Sequence, residues 1–215
     1  MSGKQKLIVL GAGGQGRVVA DIALQTGRYG EIGFLDDSSD VPSRNLPFPL
    51  FGGFSDFERW LDEADFVVAL GNNKKRETVQ ERLSAAGATL AVLVHPRAFV
   101  ASRVTLGEGT VVMAGAVLNV DTQIGRGVII NTCSSVDHDC RIDDFCHIAV
   151  GAHLAGTVRM GKRCMVGAGV AVRNNQTIVA DCTIGVGAAV TSDLTVAGTY
   201  IGVPARLWRD GRCKD

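Results

Sequence analysis

From Val94 onward an aliphatic side chain or Met returns at every sixth residue. The positions Val94, Val100, Leu106, Val112, Leu118, Ile124, Ile130, Val136, Ile142, Ile148, Leu154, Met160, Val166, Val172, Ile178, Ile184, Val190 and Val196 form an unbroken run of 18. Chance does not produce such a run, and a fixed period of this kind marks a repeat architecture. The remaining slots of the hexad agree. Two residues before each aliphatic stands something small or apolar, including Ala116, Ser134, Cys140, Cys146, Ala152, Cys164, Cys182 and Ala188. Three residues after it, in most cases, comes a left-handed-turn residue: Gly109, Gly115, Asp121, Gly127, Gly151, Gly169, Asn175, Asp181 and Gly187. Gly, Asn and Asp tolerate the positive φ that a sharp corner requires. Each hexad is therefore one short strand and one corner. Three hexads close one turn of a triangular prism with the aliphatics stacked inside, and the run implies about six coils.

The first 93 residues carry a different pattern. Apolar strands are expected at Lys6–Leu10, Glu31–Leu35, Phe66–Leu70 and Leu90–Leu93, with helices at Gly14–Thr26, Ser55–Asp62 and Lys74–Ala86. Alternating strands and helices predict a small parallel α/β domain. Val41–Gly53, with three prolines, is its one irregular loop. The expected organisation is thus an α/β, Rossmann-like domain over residues 1–93, an all-β parallel β-helix over 94–199, and a tail over 200–215.

Composition narrows the function. Lys+Arg and Asp+Glu balance at 22 each, which argues against a nucleic-acid surface or a basic membrane face. Gly reaches 27 residues and aromatics only 6%, a balance suited to narrow repetitive β structure. No apolar run approaches the roughly 18 residues of a membrane span. Leu7–Leu10 runs into glycines without a small-residue cleavage site, so it reads as a strand and not a signal peptide. A cytoplasmic protein is expected. Four of the six cysteines, Cys140, Cys146, Cys164 and Cys182, fill the small inward slot as compact hydrophobes. Cys133 and Cys213 lie off the pattern.

Several motifs carry candidate chemistry. Gly11-Ala-Gly13-Gly14-Gln15-Gly16 follows a strand and opens a helix, the context in which a GxGxxG loop brings backbone close to phosphates. Asp36, at the end of the next strand, stands where a ribose-binding acid belongs. About 90 residues hardly supply the two halves of a dinucleotide fold, so a mononucleotide site is read here over NAD; a ligand-free glycine turn is the plain alternative. Gly71-Asn72-Asn73 follows another strand, either as part of that site or as a helix cap. His95 precedes a proline at the junction and has no assigned role. His138, His147 and His153 occupy neither the aliphatic nor the small slots, so all three are expected to point outward, and each could be an ordinary surface histidine. Asp139 occupies a corner slot.

The stretch Asn131-Thr-Cys-Ser-Ser-Val-Asp-His138-Asp139-Cys-Arg-Ile-Asp-Asp-Phe-Cys-His147-Ile-Ala-Val-Gly resembles the bacterial nucleotide-sugar N-acetyltransferases that modify 4-amino sugars, and the related sialic acid O-acetyltransferases. The N-terminal GAGGQG, Phe34-Leu35-Asp36-Asp37, Gly71-Asn72-Asn73 and Ile201-Gly202-Val203-Pro204-Ala205-Arg206 are similar to the same group, so the likeness spans essentially the whole chain. The resemblance implies a left-handed coil, a homotrimer and acetyl-CoA as co-substrate without a metal. It implies His138 as general base and Asp139 as the acid that orients it and raises its basicity. It implies His147, Ala168 and Val186 at the coenzyme, and Gly13, Gly14, Gln15, Asp36, Asp37, Gly71 and Asn131 at the nucleotide sugar. Many relatives carry His where this chain has Gln15.

The implied chemistry is direct acyl transfer. A sugar ammonium must shed a proton before its nitrogen attacks the thioester, and a neutral imidazole backed by a carboxylate can take it. The thiolate leaves readily, since thiol pKa values lie near 8.5. The oxyanion needs a fixed donor, for which the backbone N–H of Gly156, 18 residues after His138 and so one coil above, is the candidate. Three other readings compete: O-acetylation of a sialic acid, a hexapeptide zinc enzyme of carbonic-anhydrase type, and a non-catalytic nucleotide-binding scaffold. His138, His147 and His153 fall on different faces or corners, which disfavours the zinc site.

Overall fold

The computed structural model describes residues 6–40 and 45–209, and the backbone alone of 212–214. The chain divides into two compact units, Met1–Pro96 and Arg97–Asp215. In the first unit, strands β1 (Lys6–Leu10), β2 (Glu31–Leu35), β3 (Ala64–Val68) and β4 (Thr89–Leu90) form one parallel sheet in the order β2-β1-β3-β4. A parallel sheet is covered on both faces and its strands read as continuous apolar runs. Accordingly Leu7, Ile8, Val9 and Leu10 are all buried, as are Phe66, Val67 and Val68. Helix α1 (Gly14–Thr26) ends at Gly27, whose φ of 65° supplies the left-handed cap; helix α2 is Asn73–Ala85.

Four elements differ from expectation. The closing strand expected at Leu90–Leu93 is Thr89–Leu90, and Leu93–Val94 is a separate short strand. β3 starts at Ala64 rather than Phe66, because Asp65, a charge that looks like a boundary, is buried and accepts a hydrogen bond from the Tyr29 hydroxyl at 2.9 Å. The segment expected as helix Ser55–Asp62 is a 3-10 helix, Phe54–Trp60. The end of the proline-rich loop is not irregular: Phe51 N donates to Phe34 O at 2.8 Å and Phe34 N to Pro49 O at 2.8 Å, so the loop runs along the edge of β2. Val41–Arg44 of that loop lie outside the described residues.

The second unit is a parallel β-solenoid of about six turns. One face stacks the strands beginning at Thr105, Gln123, Arg141, Arg159 and Thr177. A second stacks those beginning at Phe99, Val117, Ser135, His153, Ala171 and Ala189. A third includes those beginning at Val111, Ile129, His147, Met165 and Thr183. Every pairing among these strands joins residues 18 apart, so each of these coils sits in register on the one below. The sixth-position aliphatics from Val112 to Val190 are all buried.

The last hexad breaks the rule. Val196 is 46% exposed, and Leu194 takes the core place, bridging to Ile178, while Tyr200 pairs with Ile184. The final repeat is two residues short, and the Asp193 carboxylate accepts the Thr177 N–H at 2.8 Å. Beyond it the expected tail forms antiparallel strands, Thr199–Ile201, Arg206–Arg209 and Arg212–Lys214. The four inward cysteines are buried and their thiols donate to carbonyls 14 or 15 residues on, as Cys140 Sγ does to Ala155 O at 3.3 Å. Burial pushes the Cys140 thiol up to about 11. Cys133 is not off the pattern: it is exposed in a corner slot at φ +54°. The Cys213 side chain lies outside the described residues.

Candidate functional site

At one edge of the prism Arg103, Asp121, Asp139, Thr157 and Asn175 stack in a column, all at φ between 58° and 64°. Asp is among the few side chains that accept this conformation readily. Asp139 therefore makes the turn and also projects a carboxylate beside its neighbour: its Oδ2 lies 2.8 Å from His138 Nδ1. That bond is the main reason the His138 pKa is raised, with the charges of Asp137 and Asp139 adding to it and desolvation opposing it. With Nδ1–H donating to Asp139, Nε2 is left as the acceptor. Both side chains are half exposed, at 52% and 56%, so the base is reachable from solvent.

The coil above shapes the other side of the ring. A Cβ on Gly156 would fall 2.5 Å from His138 Nε2 and 2.6 Å from Cε1, so the imidazole lies directly against a glycine backbone. Thr157 N donates to His138 O at 2.9 Å, while among the described residues the Gly156 N–H donates to no backbone carbonyl. The coil below fixes the main chain: the Asp137 carboxylate accepts the His138 N–H at 2.8 Å and Asn119 Nδ2 at 2.8 Å, and Thr122 Oγ1 donates to Asp137 O at 2.7 Å. Asn119 and Asp137 were missed by sequence reasoning; their separation of 18 residues was the available signal.

The other solenoid residues lie elsewhere. His147 lies on the outer row as expected but is not open to solvent: it is 8% exposed, on a row where Val111 and Ile129 are also buried, and its Nε2 accepts from Asn131 Nδ2 at 3.0 Å. Asn131 Oδ1 in turn accepts the Thr132 N–H at 2.7 Å, which fixes the orientation of the amide. The structure thus joins Asn131 and His147 in one group, flanking the opposite end of the Ser135–Val136 strand from His138. His153 Nδ1 lies 2.9 Å from Ser135 Oγ on that strand's outer face. Among the described residues no three His, Cys, Asp or Glu side chains gather as a metal-ligating group. Ala168 and Val186 stand beside the Gly169–Gly187 column, an edge different from that of His138, and Val186 is 80% exposed.

In the first unit the glycine loop is tightly built. Gly11 has φ +107°, and a Cβ on Gly16 would fall 1.8 Å from Gly11 O, so the first turn of α1 packs against bare backbone. Asp36 Oδ2 accepts the Ala12 N–H at 2.6 Å and Oδ1 the Ser38 N–H at 2.8 Å, bracing the loop. Asp37 Oδ1 accepts the Phe54 N–H at 2.7 Å. Gly13 caps α1 without a side-chain bond, and the first turn holds no acid, so the positive end of the helix is uncovered. Gly14 faces open space, and Gln15 Nε2 is buried with no hydrogen-bond partner among the described residues. Gly71 also faces open space, whereas Asn72 is a helix cap, its Oδ1 accepting the Lys75 N–H at 3.0 Å. Buried Arg76, which carries no sequence signal, braces this loop through Leu70 O and Asn73 Oδ1, both at 2.8 Å. His95 is buried. Among the described residues no helix is long and apolar enough to cross a membrane.

Residues 6–83 match the model of the PglD N-terminal domain family. The acetyltransferase domain of PglB from Neisseria gonorrhoeae FA1090, solved in complex with acetyl coenzyme A, superposes with a TM-score of 0.91 at 42% identity, covering 96% of this chain and 100% of that one. GDP-perosamine N-acetyltransferase of Escherichia coli O157:H7 is 33% identical over 93 residues, 43% of this chain and 42% of its own length. UDP-N-acetylbacillosamine N-acetyltransferase of Bacillus subtilis (strain 168) is 31% identical over 121 residues, 51% and 52% of the two chains. The match therefore spans about half the length of these curated relatives.

Proposed function

The chain belongs to the hexapeptide-repeat family of bacterial nucleotide-sugar N-acetyltransferases, and we propose that it moves the acetyl group of acetyl-CoA onto the 4-amino group of a nucleotide-linked deoxy-amino sugar. The observation that carries this reading is the His138–Asp139 pair, an oriented base laid against Gly156. His138 Nε2 takes the proton from the sugar ammonium, and the freed amine attacks the thioester carbon. Asp139 holds the tautomer and favours the imidazolium that results. The Gly156 N–H receives the charge that develops on the carbonyl oxygen. The tetrahedral adduct then expels the thiolate of coenzyme A, which takes up the second nitrogen proton and leaves as the thiol, and no acyl group rests on the protein.

The remaining assignments follow the resemblance and fit the local chemistry. The uncovered N-terminus of α1 at Gly13 and Gly14 suits a diphosphate. Gln15 Nε2 offers the substrate an unspent donor. Asp36, Asp37 and Gly71 line the strand ends that ligands of parallel sheets use. Asn131 completes the sugar contacts, and His147, Ala168 and Val186 contact the coenzyme. A single chain holds His138 and Val186 at different edges, which supports a homotrimer whose neighbouring copies set one edge against the other. The protein is read as cytoplasmic, where both substrates are made. The test is thiol release from acetyl-CoA across UDP-, GDP- and dTDP-linked 4-amino sugars, with sialic acid alongside. Turnover with one nucleotide sugar is expected; turnover with sialic acid alone would replace this reading by O-acetylation.

A further inference from the structure

We infer that Asn119 and Asp137 are positioning residues for the base, a bracket that fixes the main chain of His138 from the coil below. This rests on His138 being the general base. The inter-coil ladder needs only backbone groups at this point: Asn119 N donates to Val136 O, and Asp137 N to Leu154 O, both at 2.9 Å. The side chains add three further bonds to one peptide segment. Asp137 Oδ1 accepts both the His138 N–H and Asn119 Nδ2 at 2.8 Å, and Thr122 Oγ1 holds the Asp137 carbonyl at 2.7 Å. In the same slot one and two coils higher stand Ala155 and Arg173, so the amide–carboxylate pair occurs where the base sits.

His138 occupies the last residue before a left-handed corner, where small backbone rotations swing the side chain widely. Pinning its N–H therefore fixes where Nε2 falls against Gly156. The two flanking acids divide the work: Asp139 grips the ring and Asp137 the main chain. The His138 N–H bond, then that of Asn119, hold the Asp137 carboxyl below its ordinary range, so it is ionised and its negative charge also favours the imidazolium. The other charged groups around the base are Asp139, the Arg103–Asp121 pair from the coils below, and Arg141 and Arg159 on the adjoining face; the coil above presents Gly156 and Thr157, which are uncharged.

The experiment compares pH profiles of kcat/KM, the KM for acetyl-CoA, and thermal melts for Asp137→Asn, Asp137→Ala and Asn119→Ala. Asp137→Asn keeps an acceptor for the His138 N–H but loses the charge. It should retain kcat within about tenfold and move the acidic limb to lower pH. Asp137→Ala loses both and should lower kcat by about 10²-fold with the KM for acetyl-CoA unchanged, the loss expected of a base misplaced by about 1 Å. Asn119→Ala keeps the charge, so kcat should fall with the limb in place. Wild-type kcat and profile in a folded Asp137→Ala overturn the inference. So does an Asp137→Asn enzyme as slow as Asp137→Ala, because a purely structural loss would not be rescued by the amide. Should Asp137→Ala not fold, an unshifted limb in Asp137→Asn has the same force. His138→Ala, run in parallel, separates the two claims: wild-type turnover there sinks the base assignment itself.

Discussion

Replacing Gly156 by Ala tests the site through its shape. The added methyl would fall 2.5 Å from His138 Nε2, 2.6 Å from Cε1 and 3.1 Å from Cδ2. Ordinary contact begins near 3.4 Å, so the imidazole must withdraw by about 1 Å. The Gly156 φ is not in the left-handed region, so Ala fits the backbone, and the clashing ring is half exposed and can shift toward solvent at the expense of its bond to Asp139. Folding should therefore survive, with a melting temperature near that of the native protein. Catalysis should not, because a displacement of about 1 Å costs on the order of 10²-fold in rate. The substitution leaves the Gly156 N–H in place, so a loss of kcat would report the ring and not the oxyanion donor. The assay is thiol release at saturating acetyl-CoA, with circular dichroism as the control for folding. A folded Gly156→Ala enzyme turning over at the native rate would refute the placement of the base against this glycine.

Other perturbations read separate parts of the structure. His138→Ala should lower turnover by about 10²–10⁴-fold with folding intact, and native turnover in a folded protein would rule it out as base. Asp139→Asn keeps an acceptor for the His138 Nδ1–H but replaces the carboxylate whose hydrogen bond and charge raise the His138 pKa; since the base acts when neutral, the acidic limb of the pH–rate profile should move to lower pH, and an unmoved limb would leave Asp139 only its corner role. Gly16→Ala sets a methyl 1.8 Å from Gly11 O, a backbone atom that cannot step aside, and should destabilise the first unit by about 1–3 kcal/mol or more in urea denaturation. Gly14→Ala, which meets nothing within 4 Å, should leave that stability unchanged or slightly higher; if it falls as far as Gly16→Ala, the packing account of this loop is wrong.

The solenoid was legible because its signal is long and one-dimensional. Each coil repeats the same three hexads, and an error in one slot is corrected by the next. The signal failed where the register failed: Leu194 replaces Val196 in the core because the closing repeat loses two residues, and no period announces its own end. In the first unit the strands and helices with clear apolar runs stood out, while β3 was cut short at Asp65, whose partner Tyr29 is 36 residues away in sequence. His147 was read outward from its slot, correctly as to direction; its burial depends on what surrounds the row, which the hexad does not encode. Arg76 was invisible for the same reason, since a buried arginine is defined by the carbonyls it meets.

The placement of the base follows from what a solenoid of this kind leaves free. Inward slots are committed to the core: around the site these are Val136 and Cys140, both buried. The strand ladder uses up the backbone on either side. Only the outward residues and the corner are left for chemistry, and the corner demands a side chain that tolerates positive φ. Asp meets that demand and is also the residue that can grip an adjacent imidazole, so one choice at position 139 makes the turn and orients the base. The coil above adds the second wall, because a glycine at position 156, in the slot His138 fills one coil below, allows the ring to lie against backbone. A site assembled this way takes nothing from the core. That is why the substitutions at positions 138, 139 and 156 are expected to separate activity from stability, whereas the same exchange at position 16, where backbone meets backbone, is expected to change both.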